Sequence, residues 1–305
     1  MSKVSSLWDE VLSASGVRRI RPLKKLHEHL WKQGNSVESI ATLQELRELQ
    51  WELGEIRDWL HNSWLVALRY QAQNSIDEAL TVVADALPES DLASDYFNKG
   101  YLLMLRGSLL SQRRQAQDSA AAYLDAASAF GSQNFIELEG EARTNAARQF
   151  FSLFETEKSQ EQYEMAASCF REVKNTEKLL TTQLCLSDLL NESGRHTEVV
   201  GMLQELLPVA WWLKSPASRQ KIIRRLGDAH SRCGDWNLAE SLLKEAVEMR
   251  ADRTQLDEAL KAMENLAEHN RRAGELKKAE SQFWELECIK KTLGVDNSER
   301  QNREF

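Results

Sequence analysis

Catalysis requires a nucleophile, an acid/base pair or metal ligands in a recognisable context, and side chains of those types are thinly spread through this chain of 305 residues. His27-Glu28-His29 groups metal-ligating types. Residues two apart on a helix point to different sides, so the pair cannot chelate one ion from a single face, and a solvated helix with ordinary histidines is expected. Glu137 and Glu139 bring two carboxylates together without a partner for acid/base work, and surface solvation accounts for them. Cys169, Cys185, Cys233 and Cys288 form no C-x-x-C pair. Neither a zinc site nor a thioredoxin-type redox motif is therefore implied, and buried reduced thiols are expected. Gly100, Gly107 and the other glycines are too isolated to cradle a nucleotide. No catalytic residue, metal ligand or cofactor is implied, and the chain reads as a non-enzyme.

The elements that carry these residues follow from composition and pattern. Hydrophobic residues make up 42% and charged residues 28%, enough for a continuous core, and only 4 prolines interrupt the chain, so long stretches can stay helical. A net charge of -8 with a pI near 5.5 argues against a general phosphate-backbone binder, which needs clustered Lys and Arg. There is no apolar run of 18 or more residues, and Met1-Ser2-Lys3-Val4 leads into a charged segment. The expectation is a cytoplasmic protein with neither membrane nor nucleic acid as a direct partner.

A repeat organises the C-terminal half. Gly194, Gly234 and Gly274 stand 40 residues apart, each between two amphipathic helical patterns, where glycine suits a tight turn. Around Gly234 the first helix carries Ile223, Leu226, Gly227 and His230 on one stripe, and the second carries Ala239, Leu243 and Ala246. Met263, Leu266, Ala267 and Asn270, then Ala279, Phe283 and Leu286, repeat the pattern around Gly274. Leu186, Ser187 and Leu190, then Val199, Leu203 and Leu206, repeat it around Gly194. Upstream the markers Ala79, Ala120 and Ala166 continue it, giving six units that average 40 residues.

The stretch Leu226-Gly227 with Gly234-Asp235-Trp236-Asn237-Leu238-Ala239 resembles the tetratricopeptide repeat (TPR) family in an extended-repeat form. The family usually repeats at 34 residues and favours Tyr where His230 and Asn270 stand here, so longer helices or longer inter-repeat loops must absorb the difference. The resemblance implies an all-α fold, an α-solenoid or right-handed superhelix of helix-turn-helix units with an N-terminal helical cap. Residues 1–54 are the cap or a degenerate repeat, in which Gly34-Asn35-Ser36 forms a turn with an N-cap serine. Residues 55–292 are the superhelix of about six repeats, and residues 293–305 are a polar tail.

Stacked first helices would build an inner wall. Beside the packed stripe of the unit around Gly234 lie Lys221, Arg224, Arg225, Asp228 and Arg232, a basic strip on an acidic protein. One unit later come Lys261, Asn265, Glu268, Arg271 and Arg272; one unit earlier, Asp188 and Asn191. This groove is the candidate site for a protein or peptide partner with an acidic segment, Arg forks taking its carboxylates and Asn its backbone; solvated helix faces are the plain alternative. The family's clamp for chaperone tails places Lys and Asn four apart. Arg224 with Asp228 and Glu264 with Glu268 stand here instead, so such a chaperone co-factor is not implied.

Trp211-Trp212, between Pro208 and Pro216, cannot both face one interior, so one of them is a candidate exposed anchor, with packing under an inter-repeat loop as the ordinary role. The expected function is a scaffold or adaptor. The alternatives are a peptide-responsive regulator of an effector or transcription factor and a non-catalytic subunit of an enzyme complex. No feature of the sequence supports a homo-oligomer.

Overall fold

The computed structural model describes residues 3–249 and 253–292, and among them every regular element is helical. Two compact units divide the chain, Met1–Asn175 and Thr176–Phe305. The first holds α1 (Lys3–Ser13), a 3₁₀ turn (Gly16–Arg19), α2 (Ile20–Lys32), α3 (Ser36–Glu52), α4 (Ile56–Ala72), α5 (Ile76–Leu92), α6 (Tyr96–Gln112), α7 (Ala116–Ser132), α8 (Ile136–Ser152) and α9 (Thr156–Glu172). In the second lie α10 (Thr176–Glu192), α11 (His196–Trp212), α12 (Pro216–Cys233), α13 (Trp236–Glu248), α14 (Arg253–Arg272) and α15 (Leu276–Thr292).

From α3 to α11 every helix is 17 residues long, about 25 Å at the rise of an α-helix. Three-residue turns join them. The residues in excess of the family's usual period therefore lengthen the helices and not the loops, and the 40-residue repeat is two halves of equal length.

Twelve of the turns close by the same device. Residues 34, 54, 74, 94, 114, 134, 154, 174, 194, 214, 234 and 274 all take a positive φ, from 50° at Lys214 to 87° at Gly234. The following amide reaches back to the last helical turn, as in Asn35 N–H to the Leu30 carbonyl at 3.0 Å and Asp235 N–H to the His230 carbonyl at 2.9 Å. This is the hydrogen bond of a Schellman end, which satisfies carbonyls that the helix leaves unpaired. Glycine occupies five of these twelve positions, and Asn, Ser, Arg, Phe and Lys occupy the others. The expected N-cap serine is corrected. Asn35 holds the cap position without a side-chain cap bond and Ser36 is already helical, because the backbone turn itself sets where α3 begins.

Packing within the pairs obeys a strict register. On first helices His27, Ala67, Gly107, Ala147, Ser187, Gly227 and Ala267 are all buried; on second helices so are Ser39, Ala79, Ser119, Ser159, Val199, Ala239 and Ala279. Except at His27, the first-helix residues at these points are small and bring backbones close. A Cβ on Gly227 would lie 2.7 Å from Leu243 Cγ, and one on Gly107 2.8 Å from the Tyr123 ring, so neither position has room for a side chain.

The markers Ala120 and Ala166 are likewise corrected. The register runs through Ser119 and Ser159, while Ala166 matches Ala86 and Ala126 at a deeper position of the second helix. Buried serine is as small as alanine, and its hydroxyl is satisfied here. Ser39 donates to the His27 carbonyl at 2.7 Å, Ser119 to Gly107 at 2.7 Å and Ser159 to Ala147 at 2.8 Å. Each of these bonds ties a second helix to the backbone of its first.

In the first unit Leu23, Leu26, Leu43, Leu46, Leu60, Val66, Val83 and Leu102 join one apolar cluster that runs through α2 to α6. Among the described residues no helix is long and apolar enough to cross a membrane. The expected tail, residues 293–305, lies outside the described residues.

Phe154 takes φ 59° with its side chain 89% exposed, so the ring gains little from burial while the backbone adopts a left-handed conformation that costs about 1 kcal/mol. Phe154→Gly is expected to stabilise the first unit by about 0.5–1 kcal/mol, read as a higher urea midpoint at unchanged m-value. A lower midpoint would contradict this account of the turn.

Candidate partner-binding surface

α10, α12 and α14 are successive first helices of the second unit, and α12 packs against both of the others. Local sequence fixes α12 at each end. Pro216 opens it, Ser215 caps it by accepting from the Ser218 amide at 3.2 Å, and Gly234 ends it in the left-handed conformation. Ile223, Leu226, Gly227 and His230 are buried, as the apolar stripe implies. The basic strip is thereby aimed along the neighbouring face, between α10 and α14.

Most of the sequence-predicted residues meet there as a bonded network. Arg225 forks onto Asp188, its Nε and Nη2 donating to the two carboxylate oxygens at 2.6 Å each. Asp228 is a hub whose Oδ2 accepts from Asn191 Nδ2 at 2.6 Å and Arg232 Nε at 3.0 Å, while Oδ1 accepts from Arg272 Nη1 at 3.3 Å. Arg224 Nε donates to Glu258 Oε2 at 3.0 Å, and Lys261 Nζ lies 3.1 Å from Glu258 Oε1. With its amide turned toward α12, Asn265 accepts from Arg224 Nη1 at 3.3 Å. Arg271 forks onto Glu268 at 2.6 and 2.8 Å, and Arg272 Nε lies 3.4 Å from the same carboxylate.

Charge is held in place by these contacts. Burial raises the pKa of Asp228, but Arg232, Asn191 and Arg272 outweigh it and keep the carboxyl below its ordinary range. Glu258 follows the same balance, burial opposed by Arg224 and Lys261. Burial works against the charge on Arg225, and the Asp188 carboxylate more than restores it. Glu268 is held low by its bond from Arg271.

The forks of Arg224 and Arg225, expected to take a partner's carboxylates, are thus occupied by carboxylates of the same chain. What remains open is the rim. The Lys221 ammonium pairs with no described residue, and Lys261 and Arg271 stay largely exposed.

Other sequence-predicted features settle elsewhere. Trp211 and Trp212 occupy no loop; they form the last turn of α11, with Pro208 inside that helix. Both indoles are open, 60% and 74% exposed, and Arg219 stacks 3.9 Å over the Trp211 ring. Helix geometry explains the correction, since adjacent residues at a helix end both leave the packed stripe. His230 is buried with Nδ1 2.9 Å from Asp235 Oδ2, a satisfied structural imidazole. His27 is buried, His29 is half-buried, and no metal-binding cluster occurs among the described residues. The cysteines form no disulfide, and the expected burial is corrected: Cys169 and Cys185 are half-buried, whereas Cys233 and Cys288 are exposed.

Two members of the network were not read from sequence. Glu258 lies in the early part of α14, 40 residues after the uncharged Ser218 of α12, so the offset from the basic strip did not point to it. His196, whose Nδ1 lies 2.8 Å from Asn191 Oδ1, sits one residue beyond the turn. A charge-complementarity search across neighbouring first helices would have found Glu258.

Comparison with solved structures fits this architecture. RapI in its apo form superposes with TM-score 0.65 at 14% identity, covering 90% of this chain and 77% of that one. The chain has the TPR-like solenoid fold. A signal-transduction ATPase from Pyrococcus horikoshii with a tetratricopeptide repeat sensor matches this TPR-like chain with TM-score 0.66 at 16% identity, over 80% of this chain and 38% of the other. NprR in complex with its cognate peptide NprX matches with TM-score 0.53 at 15% identity, over 87% and 79% respectively. No protein-family model matches the chain, and no curated protein matches it in sequence. At these identities the TPR-like likeness is one of fold.

Asp228→Asn keeps the volume of the hub and removes its charge, leaving Arg232 and Arg272 with one carboxylate fewer. A loss of about 2 kcal/mol is expected, below the figure for a fully buried pair because both arginines are partly solvated. Denaturant unfolding measures it, and a neutral result would show that the network adds no stability.

Acid should weaken the same unit through its histidines. Burial lowers the pKa of His269, whose Nδ1 lies 3.1 Å from Ser231 Oγ, and of His196, where Arg232 adds to the effect. From the ordinary value of 6.5 downward the unfolded chain takes up protons that the folded chain resists, so stability is full above that pH and is lost below it. The unfolding midpoint is expected to fall between about pH 7.5 and 5.5, with a shallower slope in His269→Gln. An equal slope in that variant would remove His269 from this role.

Proposed function

We propose that this chain is a non-catalytic interaction module that holds a peptide or partner-protein segment on the face built by α10, α12 and α14, working in the cytoplasm without direct contact to nucleic acid. One observation carries the reading. Polar side chains from three successive first helices are fixed by bonds between helices, so the surface is organised before any partner arrives and loses little side-chain freedom on binding. At the edge of this layer lie Lys221, which pairs with no described residue, and Lys261 and Arg271, which stay largely exposed although paired with Glu258 and Glu268. These cations are suited to an acidic segment through rim contacts. The pair α2–α3, with Ser39 in the common register, serves in this proposal as a degenerate first repeat that caps the stack.

A second reading is supported by the likeness to NprR, solved with its cognate peptide: a regulator in which a bound peptide alters the hold on an effector. Binding itself is common to both, and a change in compactness on peptide addition supports the second.

Because Arg224 and Arg225 are structural, the informative variant changes the rim. Lys221→Glu with Arg271→Glu is expected to weaken capture of acidic peptides from a displayed panel about tenfold, with the wild-type helical signal retained. Capture of the same peptides at full strength would eliminate this face as the binding surface.

A further inference from the structure

The first unit holds a cavity of about 650 Å³ at α3, α4 and α5 that the proposed surface does not involve. Its aromatic wall is Trp51 and Trp59, with ring centroids 4.9 Å apart. Trp59 is packed away and carries the Arg47 guanidinium 4.8 Å over its ring, while Trp51 is 46% exposed and presents a free indole. Arg47 Nε is shut off from solvent with no hydrogen-bond partner; burial works against the charge of its guanidinium, and Asp85 and Glu48 help to hold it.

The remaining lining is acidic. Glu48 and Glu52 come from α3, Asp85 and Glu89 from α5. None of the four forms an ion pair among the described residues. Four carboxylates against one arginine leave the cavity with a formal excess of three negative charges.

Their spacing sharpens the point. Glu48 with Glu52 and Asp85 with Glu89 are both four residues apart, so on each helix two like charges lie one turn from each other, an arrangement that destabilises the helix carrying it. In the Asp228 hub, by contrast, Arg232 and Arg272 reach the carboxylate. Here Arg47 offsets only part of the repulsion, through Asp85 and Glu48, and the remaining negative charge stands beside the half-open Trp51. A cation entering the cavity would relieve both pairs and lie against an aromatic ring, a favourable partner for guanidinium or ammonium. The volume falls in the range of pockets that take whole chemical groups, and a long flexible side chain fits it.

We propose that this cavity receives an arginine or lysine side chain from a basic segment of a partner protein, its charged end stacked on Trp51 among Glu48, Glu52, Asp85 and Glu89. The site is independent of the face on α10, α12 and α14, and each can fail without the other.

The test is calorimetric titration of the full chain with a hexa-arginine peptide. Glu48→Gln with Glu89→Gln is the principal variant, because neither side chain is buried and their loss relieves one like-charge pair on each helix. It is expected to bind about tenfold more weakly while melting no lower than wild type, and Trp51→Ala is expected to show a similar loss. Asp118→Asn with Glu157→Gln removes the same charge from exposed first turns of α7 and α9 and is expected to bind like wild type. Equal weakening in that control would assign the affinity to general acidity, and unchanged binding in Glu48→Gln with Glu89→Gln would exclude the cavity; either overturns the proposal. Spermine binding as tightly as the peptide, with the same dependence on these residues, would also overturn it by assigning the cavity to small polyamines.

Discussion

The left-handed residue that follows each helix from α2 to α12, and again α14, is the constraint from which the rest of this architecture follows. It turns the chain in three residues and sends the amide beyond it back to a carbonyl that would otherwise be orphaned. Because the turn has one length, seventeen helical residues always follow three turn residues from α3 to α11. Constant length makes the register self-propagating, so that any small residue at the contact point recurs forty residues later facing the same kind of neighbour. Glycine is favoured at the turn without being required. The hydrogen bonds around Arg114, Phe154 and Lys174 are those around Gly194, and the backbone strain at the non-glycine turns is met by packing on both sides.

Close approach at the contact point is achieved in three ways. Gly107 and Gly227 leave room for Tyr123 and Leu243, alanine does so at Ala67 and Ala147, and serine adds a hydrogen bond to the partner backbone from Ser39, Ser119 and Ser159. The serine solution trades some hydrophobic burial for a directional link between the helices of a pair. Such a link fixes rotation of one helix about its axis, which dispersion contacts alone fix less sharply.

The same chemistry explains what was legible in the sequence. The period was visible at Gly194, Gly234 and Gly274 because turn and contact residues there match the family's pattern. It blurred upstream because Ser94, Arg114, Phe154 and Lys174 stand where glycine or asparagine would signal a left-handed turn, and because a buried serine looks polar on the page. Helix type and pairing were readable from the apolar stripes; the register at Ser119 and Ser159 was not, since nothing local distinguishes a buried serine from a solvated one. At the candidate surface the residues were correctly placed together, yet their state was misjudged. Whether Arg225 is available depends on Asp188, 37 positions away, and only the packing of α10 on α12 brings the two together.

That difference bears on what a charged cluster means. On α10, α12 and α14 the arginines of the network, Arg224, Arg225, Arg232, Arg271 and Arg272, have each found a carboxylate of their own chain, so the network is a matter of geometry and specificity more than of net attraction. A partner binding there meets a fixed pattern of polar atoms with a thin positive rim. At the α3–α5 cavity the balance is reversed: like charges stand one turn apart on both walls, and the only cation lies against an indole. Solvent can tolerate such an arrangement, but it lowers the stability of the helices that hold it. Selection for stability alone would replace any one of those four carboxylates with an amide or a lysine at no cost in packing. Their joint presence around an exposed tryptophan is therefore better explained by something that binds them than by the needs of the fold.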